Sequence, residues 1–363
     1  MIRILQIIGS LNMGGAENLI VNLYKNIDRR VIQFDFLLYD KPQGKNYYDE
    51  VIKLGAQIYY VPSKKDGLIR NYKAIKEIVK LHRYSIVWKN TDNCFAGMDI
   101  IAAKHGRAQR CILHSHNTWC LGLQRKLHYL TRPLVNVFTN SRWACGEAAG
   151  KWMFGNRKFI VVNNGIDLNY FCYREEIRNE YRETLGLQDK IVVGNIGRFE
   201  PQKNHSFMID VFSEFCKKEE QAVLVLIGEG GLQEEIKGQA RKRGIEDKVL
   251  FLNTRTDTAE LLQMMDIFIM PSKFEGFGIA LLEAQATGLP CIASDQVPDK
   301  VNVTGQVEYL SLEDAKQWAD TLRAMKNRGS IDNATAMIRE AGYSIQDIAK
   351  DIEAMILSIE EQV

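Results

Sequence analysis

The chain is 363 residues long, 46% apolar and 25% charged, with a formal net charge of +2. That length and apolar share fit two ordinary domains rather than one. No apolar run approaches the ~18–20 residues of a membrane span, and no Lys/Arg-rich run with interleaved aromatics points to nucleic acid.

Seven cysteines are scattered without a Cys-x-x-Cys pair. This argues for a reducing cytoplasm and against a disulfide framework or a zinc site. The N-terminus, Met1-Ile-Arg-Ile-Leu5, enters an apolar run at once, so no signal peptide is expected. Charge is unevenly spread. Residues 1–170 carry 25 Lys and Arg against 12 Asp and Glu, and the remainder carries 22 against 33. Either these are two solvated surfaces, or the first half faces something anionic such as a membrane surface or a diphosphate-linked acceptor.

Apolar runs of strand length occur at Ile2–Ile8, Phe34–Tyr39, Gln57–Val61, Ser85–Trp88, Cys111–Leu113, Val135–Thr139 and Phe159–Val162. Helical periodicity lies between them, as with Ala74, Ile75, Ile78 and Val79 in residues 67–82. A charged, poorly apolar stretch follows at Arg174–Glu183, and the pattern restarts at Lys190–Gly197. Further runs sit at Ala222–Ile227, Val249–Leu252, Ile267–Met270 and Cys291–Ala293. Continuous apolar strands alternating with helices predict parallel sheets covered on both faces. Two doubly wound domains are expected, joined near residues 170–188, with ligands outside the C-terminal ends of the strands. Ile345–Ile359 reads as a helix with Ile345, Ile348, Ile352, Met355 and Ile356 on one face.

Several loops carry chemistry. Glu275-Gly-Phe-Gly-Ile-Ala-Leu-Leu-Glu283 follows the strand Ile267–Met270. A helix start there offers free N–H groups and partial positive charge, a seat for phosphate, with a carboxylate on either side for hydroxyls. Both carboxylates could instead merely cap a loop and complement the helix dipole. In Gly197-Arg-Phe-Glu-Pro-Gln-Lys-Asn-His205, Arg198 and Lys203 could neutralise a diphosphate as charge builds on it, or simply be solvated. His205 reads as a surface residue at a helix start. Gly14 and Gly15, in Gly9–Glu17, permit close backbone approach to a ligand, but the stretch is not the dinucleotide fingerprint. His114-Ser-His-Asn117 ends a strand, so His114 and His116 share a side. Two histidines without an evident third ligand make a weak metal site.

Taken together, EGFGIALLEAQATGLPCIASD, the Arg198/Lys203 loop, the Gly-Gly-Ala-Glu loop and Asn-Asn-Gly-Ile-Asp167 resemble the retaining glycosyltransferases of family 4, which have the GT-B fold. The resemblance covers nearly the whole chain and is strongest to bacterial enzymes of capsular and exopolysaccharide synthesis. It implies an α/β chain of two Rossmann-like doubly wound parallel-sheet domains facing across a cleft. Residues 1–170 would be the acceptor side and 171–344 the donor side, with 345–363 crossing back to the first domain.

By the same resemblance a nucleoside diphosphate sugar, UDP-linked, is the donor, and a saccharide or lipid-linked saccharide is the acceptor. Arg198 and Lys203 would hold the diphosphate, and Glu283 the ribose. Glu275 would contact the sugar, and Gly276, Phe277, Gly278 and Ile279 would line sugar and phosphate. Asn253 would lie by the base, Gly14 and Gly15 against the donor, and His116 beside the sugar ring. The loop Leu226–Gly231 would support the nucleotide. No residue reads as a covalent nucleophile, and the chain has no Asp-x-Asp, so neither a metal nor another cofactor is expected. A nucleotide-sugar epimerase of the same fold, or a non-catalytic partner of another transferase, are the alternatives. The leucine-rich, basic stretch Trp119–Leu134 reads either as an amphipathic helix covering the sheet or as a surface that meets lipid. The latter would give peripheral contact with an anionic membrane.

Overall fold

The structure is a computed structural model that describes residues 1–12, 14–41, 44, 46–118, 120, 122–325 and 333–361. It divides into two compact units, Met1–Gly165 with Gly342–Val363, and Ile166–Ala341.

The first unit is built on seven parallel strands: β1 (Ile2–Ile7), β2 (Ile32–Leu38), β3 (Ile58–Tyr60), β4 (Ile86–Thr91), β5 (Arg110–Ser115), β6 (Ser141–Ala144) and β7 (Ile160–Val161). Their order is β3-β2-β1-β4-β5-β6-β7. Strand side chains alternate between faces, and both faces are apolar. Ile4, Phe34, Trp88 and Trp143 feed one core, and Leu5, Leu37, Val87 and Leu113 feed the other. That two-sided burial is why the strands read as unbroken apolar runs.

The second unit repeats the plan with β8 (Ile191–Ile196), β9 (Ala222–Ile227), β10 (Val249–Leu252), β11 (Ile267–Met270), β12 (Cys291–Ser294) and β13 (Val307–Leu310). The order is β10-β9-β8-β11-β12-β13, again all parallel. Each sheet therefore winds outward in both directions from its first strand, and the order reverses beside β1 and beside β8. Such a reversal leaves a crevice at the C-terminal edge, because the connections on either side run to opposite faces of the sheet.

Two elements differ from the sequence reading. Val135–Thr139 is not a strand. It closes the helix Gly122–Phe138, where Val135 and Asn136 face the core and the Thr139 hydroxyl donates to the Val135 carbonyl at 2.8 Å. A five-residue run of this composition cannot be told from a strand by periodicity alone. The strand of that region is β6, three residues further on. The charged stretch after Arg174 is the helix Glu175–Thr184. Its charges are used internally: Arg178 and Arg182 both reach Asp266, and Arg182 also donates to the Met264 carbonyl at 2.9 Å.

The closing helix Ile345–Glu360 packs against the helix Gly15–Asn26 of the first unit. Ile345, Ile348, Ile352 and Ile356 enter the core that holds Phe34 and Trp88. A Cβ on Gly165 would come within 2.6 Å of Ile348 and 3.1 Å of the Ile345 backbone, so only glycine admits this crossing. Among the described residues no helix is long and apolar enough to cross a membrane. All seven cysteines are free. We expect Ile352→Ala, which empties a fully buried site, to cost about 2–5 kcal/mol of stability. A urea midpoint equal to that of the parent chain would show that the closing helix is not part of the core.

Candidate functional site

In the second unit the crevice lies between β8 and β11. The strands are joined there by Asn195, whose side-chain amide donates to the Ile269 carbonyl at 2.7 Å. The loops leaving them are zipped together. The Lys273 N–H donates to the Gln202 carbonyl at 2.8 Å, and the Gln202 amide donates to the Phe274 carbonyl at 2.9 Å. Lys203 Nζ lies 2.6 Å from Glu275 Oε1, with the Glu275 side chain only 8% exposed and that of Lys203 20%. Two residues far apart in sequence thus form an ion pair at the reversal of strand order.

The Lys203 stem packs over Gly197, where a Cβ would approach it to 3.3 Å. The neighbouring loop after β9 is pressed equally close. A Cβ on Gly228 would sit 2.2 Å from the Gly197 carbonyl oxygen, and one on Gly230 would sit 2.5 Å from that of Phe199. These glycines brace the loop that carries Arg198 and Lys203, which is a packing reason for them beyond any nucleotide contact.

Arg198 itself is 70% exposed and pairs with Glu200 at 2.7 Å. Among the described residues no bond joins it to Lys203 or Glu275. His205 is not a surface residue. It is buried and stacks on Phe199 with ring centroids 4.2 Å apart, and burial lowers its pKa to about 4. The signal for this is its place inside the apolar run His205–Cys216, which buries most of its length.

The helix Ile279–Ala286 opens at Gly278, which is left-handed (φ 92°) and supplies no side-chain cap. Gly276 is exposed, Gly278 buried, and Phe277 and Ile279 half-buried. The first helical N–H groups are therefore not taken by a side-chain cap, three residues on from Glu275 in sequence. One turn on, Glu283 keeps a partly accessible edge. Desolvation pushes its carboxyl up to about 8, with no cation among the described residues opposing it. That is not how a solvated dipole-complementing glutamate behaves. Asn253, just past β10, is exposed, and its side-chain oxygen is 3.4 Å from the Gln233 amide.

In the first unit the matching crevice lies between β1 and β4. Gly14 and Gly15 are exposed at the start of the helix Gly15–Asn26. Glu17 leans over Gly14 so closely that a Cβ there would meet its Oε2 at 2.4 Å. Glu17 is raised in pKa, by burial first and by Asp92 further. Asp92, leaving β4, is raised by burial as well. The sequence reading passed over Asp92. Its signal is the polar ending Lys89-Asn90-Thr91-Asp92 on an otherwise apolar strand.

His116 follows β5. Its Nε2 is 3.0 Å from the Asn90 side-chain oxygen, and the Asn90 amide donates to Gln6 Oε1 at 2.9 Å. Because Asn90 presents an oxygen, Nε2 carries the proton and Nδ1 is left as an acceptor. Burial lowers the His116 pKa to about 4, so this ring is neutral near pH 7. His114 is the more deeply buried of the pair. It packs among Trp88, Trp143 and His116, and neither ring nitrogen has a partner among the described residues.

A chain with two sheets of this order, each with its polar loops at the strand reversal, has the architecture of a GT-B nucleotide-sugar enzyme. Solved structures agree on the fold. The protein of Anabaena titled Alr3699/HepE, in complex with UDP and glucose, superposes with a TM-score of 0.80 at 20% identity, covering 99% of this chain and 100% of that one. Residues 13–170 match the family model "Glycosyltransferase Family 4", and residues 177–345 match "Glycosyl transferases group 1". A relative in Bacillus subtilis (strain 168), named "Putative glycosyltransferase EpsF", is 35% identical over 95% of this chain and 93% of its own length. An Escherichia coli relative, named UDP-Gal:alpha-D-GlcNAc-diphosphoundecaprenol alpha-1,3-galactosyltransferase, is 28% identical over 72% of each chain. The chain belongs to the family-4 glycosyltransferases.

The buried carboxyl yields a test. A folded-state pKa above the ordinary 4.5 means the native state holds a proton that the unfolded chain releases. Stability then falls as pH rises from about 4.5 to about 8. Glu283→Gln should remove much of that slope in urea unfolding followed across this range. An identical slope in the variant would show that the carboxyl is not held neutral.

Proposed function

We propose that the chain is a retaining, metal-independent glycosyltransferase that moves a sugar from a UDP-sugar to a hydroxyl of a saccharide or lipid-linked saccharide. It would work in cell-surface polysaccharide synthesis, in the cytoplasm at the inner face of the membrane. The observation that carries this is the second-unit crevice: a shielded Lys203–Glu275 pair, an uncapped helix start at Gly278 and an uncompensated carboxyl at Glu283, all beside the strand reversal. The names of the two relatives and the ligands of the structural neighbour support the choice of pathway and base.

In this reading the diphosphate seats on the N–H groups that follow Gly278 and on Lys203, with exposed Arg198 closing from the outer side. Glu283, its carboxyl kept neutral by burial, meets the ribose hydroxyls. Glu275, released as Lys203 turns to the phosphate, accepts hydrogen bonds from the sugar. Gly276 and Phe277 line the sugar and Asn253 the base. In the first unit's own crevice, Gly14 and Gly15 leave room for close approach, and the neutral His116 Nδ1 can accept from a hydroxyl.

The bond from the anomeric carbon to the phosphate oxygen breaks as the acceptor oxygen bonds to the same face of that carbon. The acceptor proton passes to the departing phosphate. Cationic side chains and backbone donors stabilise the charge on the leaving group, which is the task a divalent metal performs in other enzymes.

UDP at roughly 100 times its dissociation constant should stabilise the fold by about 2.7 kcal/mol. Thermal shift reads this, and Lys203→Ala should abolish it. Lys203→Ala and Glu275→Ala should each lower kcat/KM for sugar transfer by at least ~10²-fold. Near-parental rates would remove that residue from the site. Turnover should persist in excess EDTA, and the product anomer seen by proton NMR should match that of the donor. Loss of turnover with chelator, or an inverted anomer, overturns those two parts of the reading.

A further inference from the structure

At the strand ends of the first unit, Gln6, Asn90 and His116 form a relay of hydrogen bonds with one direction. Gln6 stands on β1, Asn90 on β4 and His116 just past β5, and these strands are neighbours in the sheet. Gln6 and Asn90 are buried, and His116 is half-buried. The His116 Nε2–H donates to the Asn90 oxygen, and the Asn90 amide donates to Gln6 Oε1. The backbone of His116 is tied to the same strand as Asn90, its N–H donating to the Thr91 carbonyl at 3.1 Å.

Each side-chain amide has a donor end and an acceptor end. Turning Asn90 alone would set its oxygen against the Gln6 oxygen, so two acceptors would face each other. Turning Gln6 alone would set two donors face to face. The relay therefore reverses only if both amides turn together. It ends at Gln6, whose Nε2 has no partner among the described residues. Nδ1 of His116 is the polar edge that the relay leaves over. The neighbouring His114 ring, with centroids 4.1 Å apart, packs on His116 without a hydrogen bond among the described residues.

We propose that Asn90 and Gln6 are positioning residues, which together hold the His116 ring as the Nε2–H tautomer and leave Nδ1 bare at the crevice, to accept a ligand hydroxyl and to donate nothing. The identity of that hydroxyl, one on a sugar, rests on the proposed function. The state of the ring does not, because it belongs to the free chain. Burial keeps the ring neutral, so Nδ1 gains no proton near pH 7. A ligand group that can only accept, such as a carboxylate, would find no donor on this ring.

The test is nitrogen NMR of the full chain with isotope-labelled histidine, the His116 signals being assigned from their loss in His116→Gln. In the parent chain near neutral pH, Nε2 should carry the proton and Nδ1 should be bare. Asn90→Leu leaves the N–H at the buried edge without an acceptor, a penalty relieved by moving the proton to Nδ1. Gln6→Met removes the acceptor that holds the Asn90 amide, so Asn90 can turn either end to the ring. Both variants should show a second population protonated at Nδ1. In both, kcat/KM for sugar transfer should fall at least about fivefold, the worth of one hydrogen bond. The UDP-dependent thermal shift should keep its parental size, because UDP carries no sugar. That separates lost positioning from misfolding and from failure of the donor site. The labelled spectra need no substrate, so they decide the state of the ring even where no sugar transfer is observed. A proton on Nδ1 in the parent chain overturns the proposal, as does the parental pattern in both folded variants. Altered tautomers with an unchanged kcat/KM overturn the positioning role.

Discussion

Both units obey one topological constraint. Their strands are all parallel, so every strand ends at the same edge of its sheet. The order reverses beside the first strand of each, because the chain winds one way through β2 and β3, or β9 and β10, and then returns to the other side. Helices that leave on opposite faces cannot close over the seam between them. What remains is a crevice floored by strand ends and walled by two loops from distant parts of the sequence. Almost every polar group of interest in this chain lies on such a wall: Glu17, Asp92 and His116 in one unit, and Lys203, Glu275 and Glu283 in the other.

The electrostatics of the second crevice follow from its depth. Lys203 and Glu275 are both largely shielded and lie 2.6 Å apart. Each is the other's counter-ion. A diphosphate brings more negative charge than one carboxylate and would take Lys203 as its own partner, leaving Glu275 a buried acceptor in search of donors. Sugar hydroxyls are donors of the right kind. Glu283 is the complementary case: a carboxyl with no counter-ion, held protonated by desolvation, which can donate as well as accept toward vicinal hydroxyls. The pair and the lone carboxyl thus match two parts of one ligand.

The strands were largely legible in the sequence, because doubly buried strands are continuous apolar runs and glycine-rich loops mark their ends. What was not legible had physical reasons. Val135–Thr139 has the composition of a strand but closes a helix whose polar start is far upstream, with Val135 and Asn136 buried and Val137 exposed. β13 contributes only Val307 and Leu310 to the interior, too few for a run. The charged, poorly apolar stretch at Arg174–Glu183 marked the joint, yet Arg178 and Arg182 direct their guanidinium groups to Asp266 and the carbonyls around it. Trp119, the first residue of the stretch read as an interfacial surface, lies outside the described residues. At the site, sequence could name Lys203, Glu275 and Glu283 but not their states. Pairing across 72 positions and burial of a helical glutamate are properties of packing.

The uneven charge of the chain fits this division. The first 170 residues hold a surplus of cations and the rest a surplus of anions. An acidic unit is an unexpected host for a diphosphate, since its long-range field opposes the ligand. The local arrangement must therefore outweigh the global one. It does so because field strength in a shielded crevice falls off far more slowly than across solvent, where about 10 Å of salt water screens it. Under the proposed function, a lysine, an exposed arginine and a helix start within the crevice would then decide binding there, whatever the net charge around them. The basic surplus of the first unit is under no such demand, and much of it is surface charge such as Arg125, Lys151 and Arg157. Charge that is spread over a surface acts on extended anionic partners rather than on one small ligand. The chain thus carries cations in two settings: Lys203 shielded and paired at the strand reversal, and Arg125, Lys151 and Arg157 exposed on the first unit's surface.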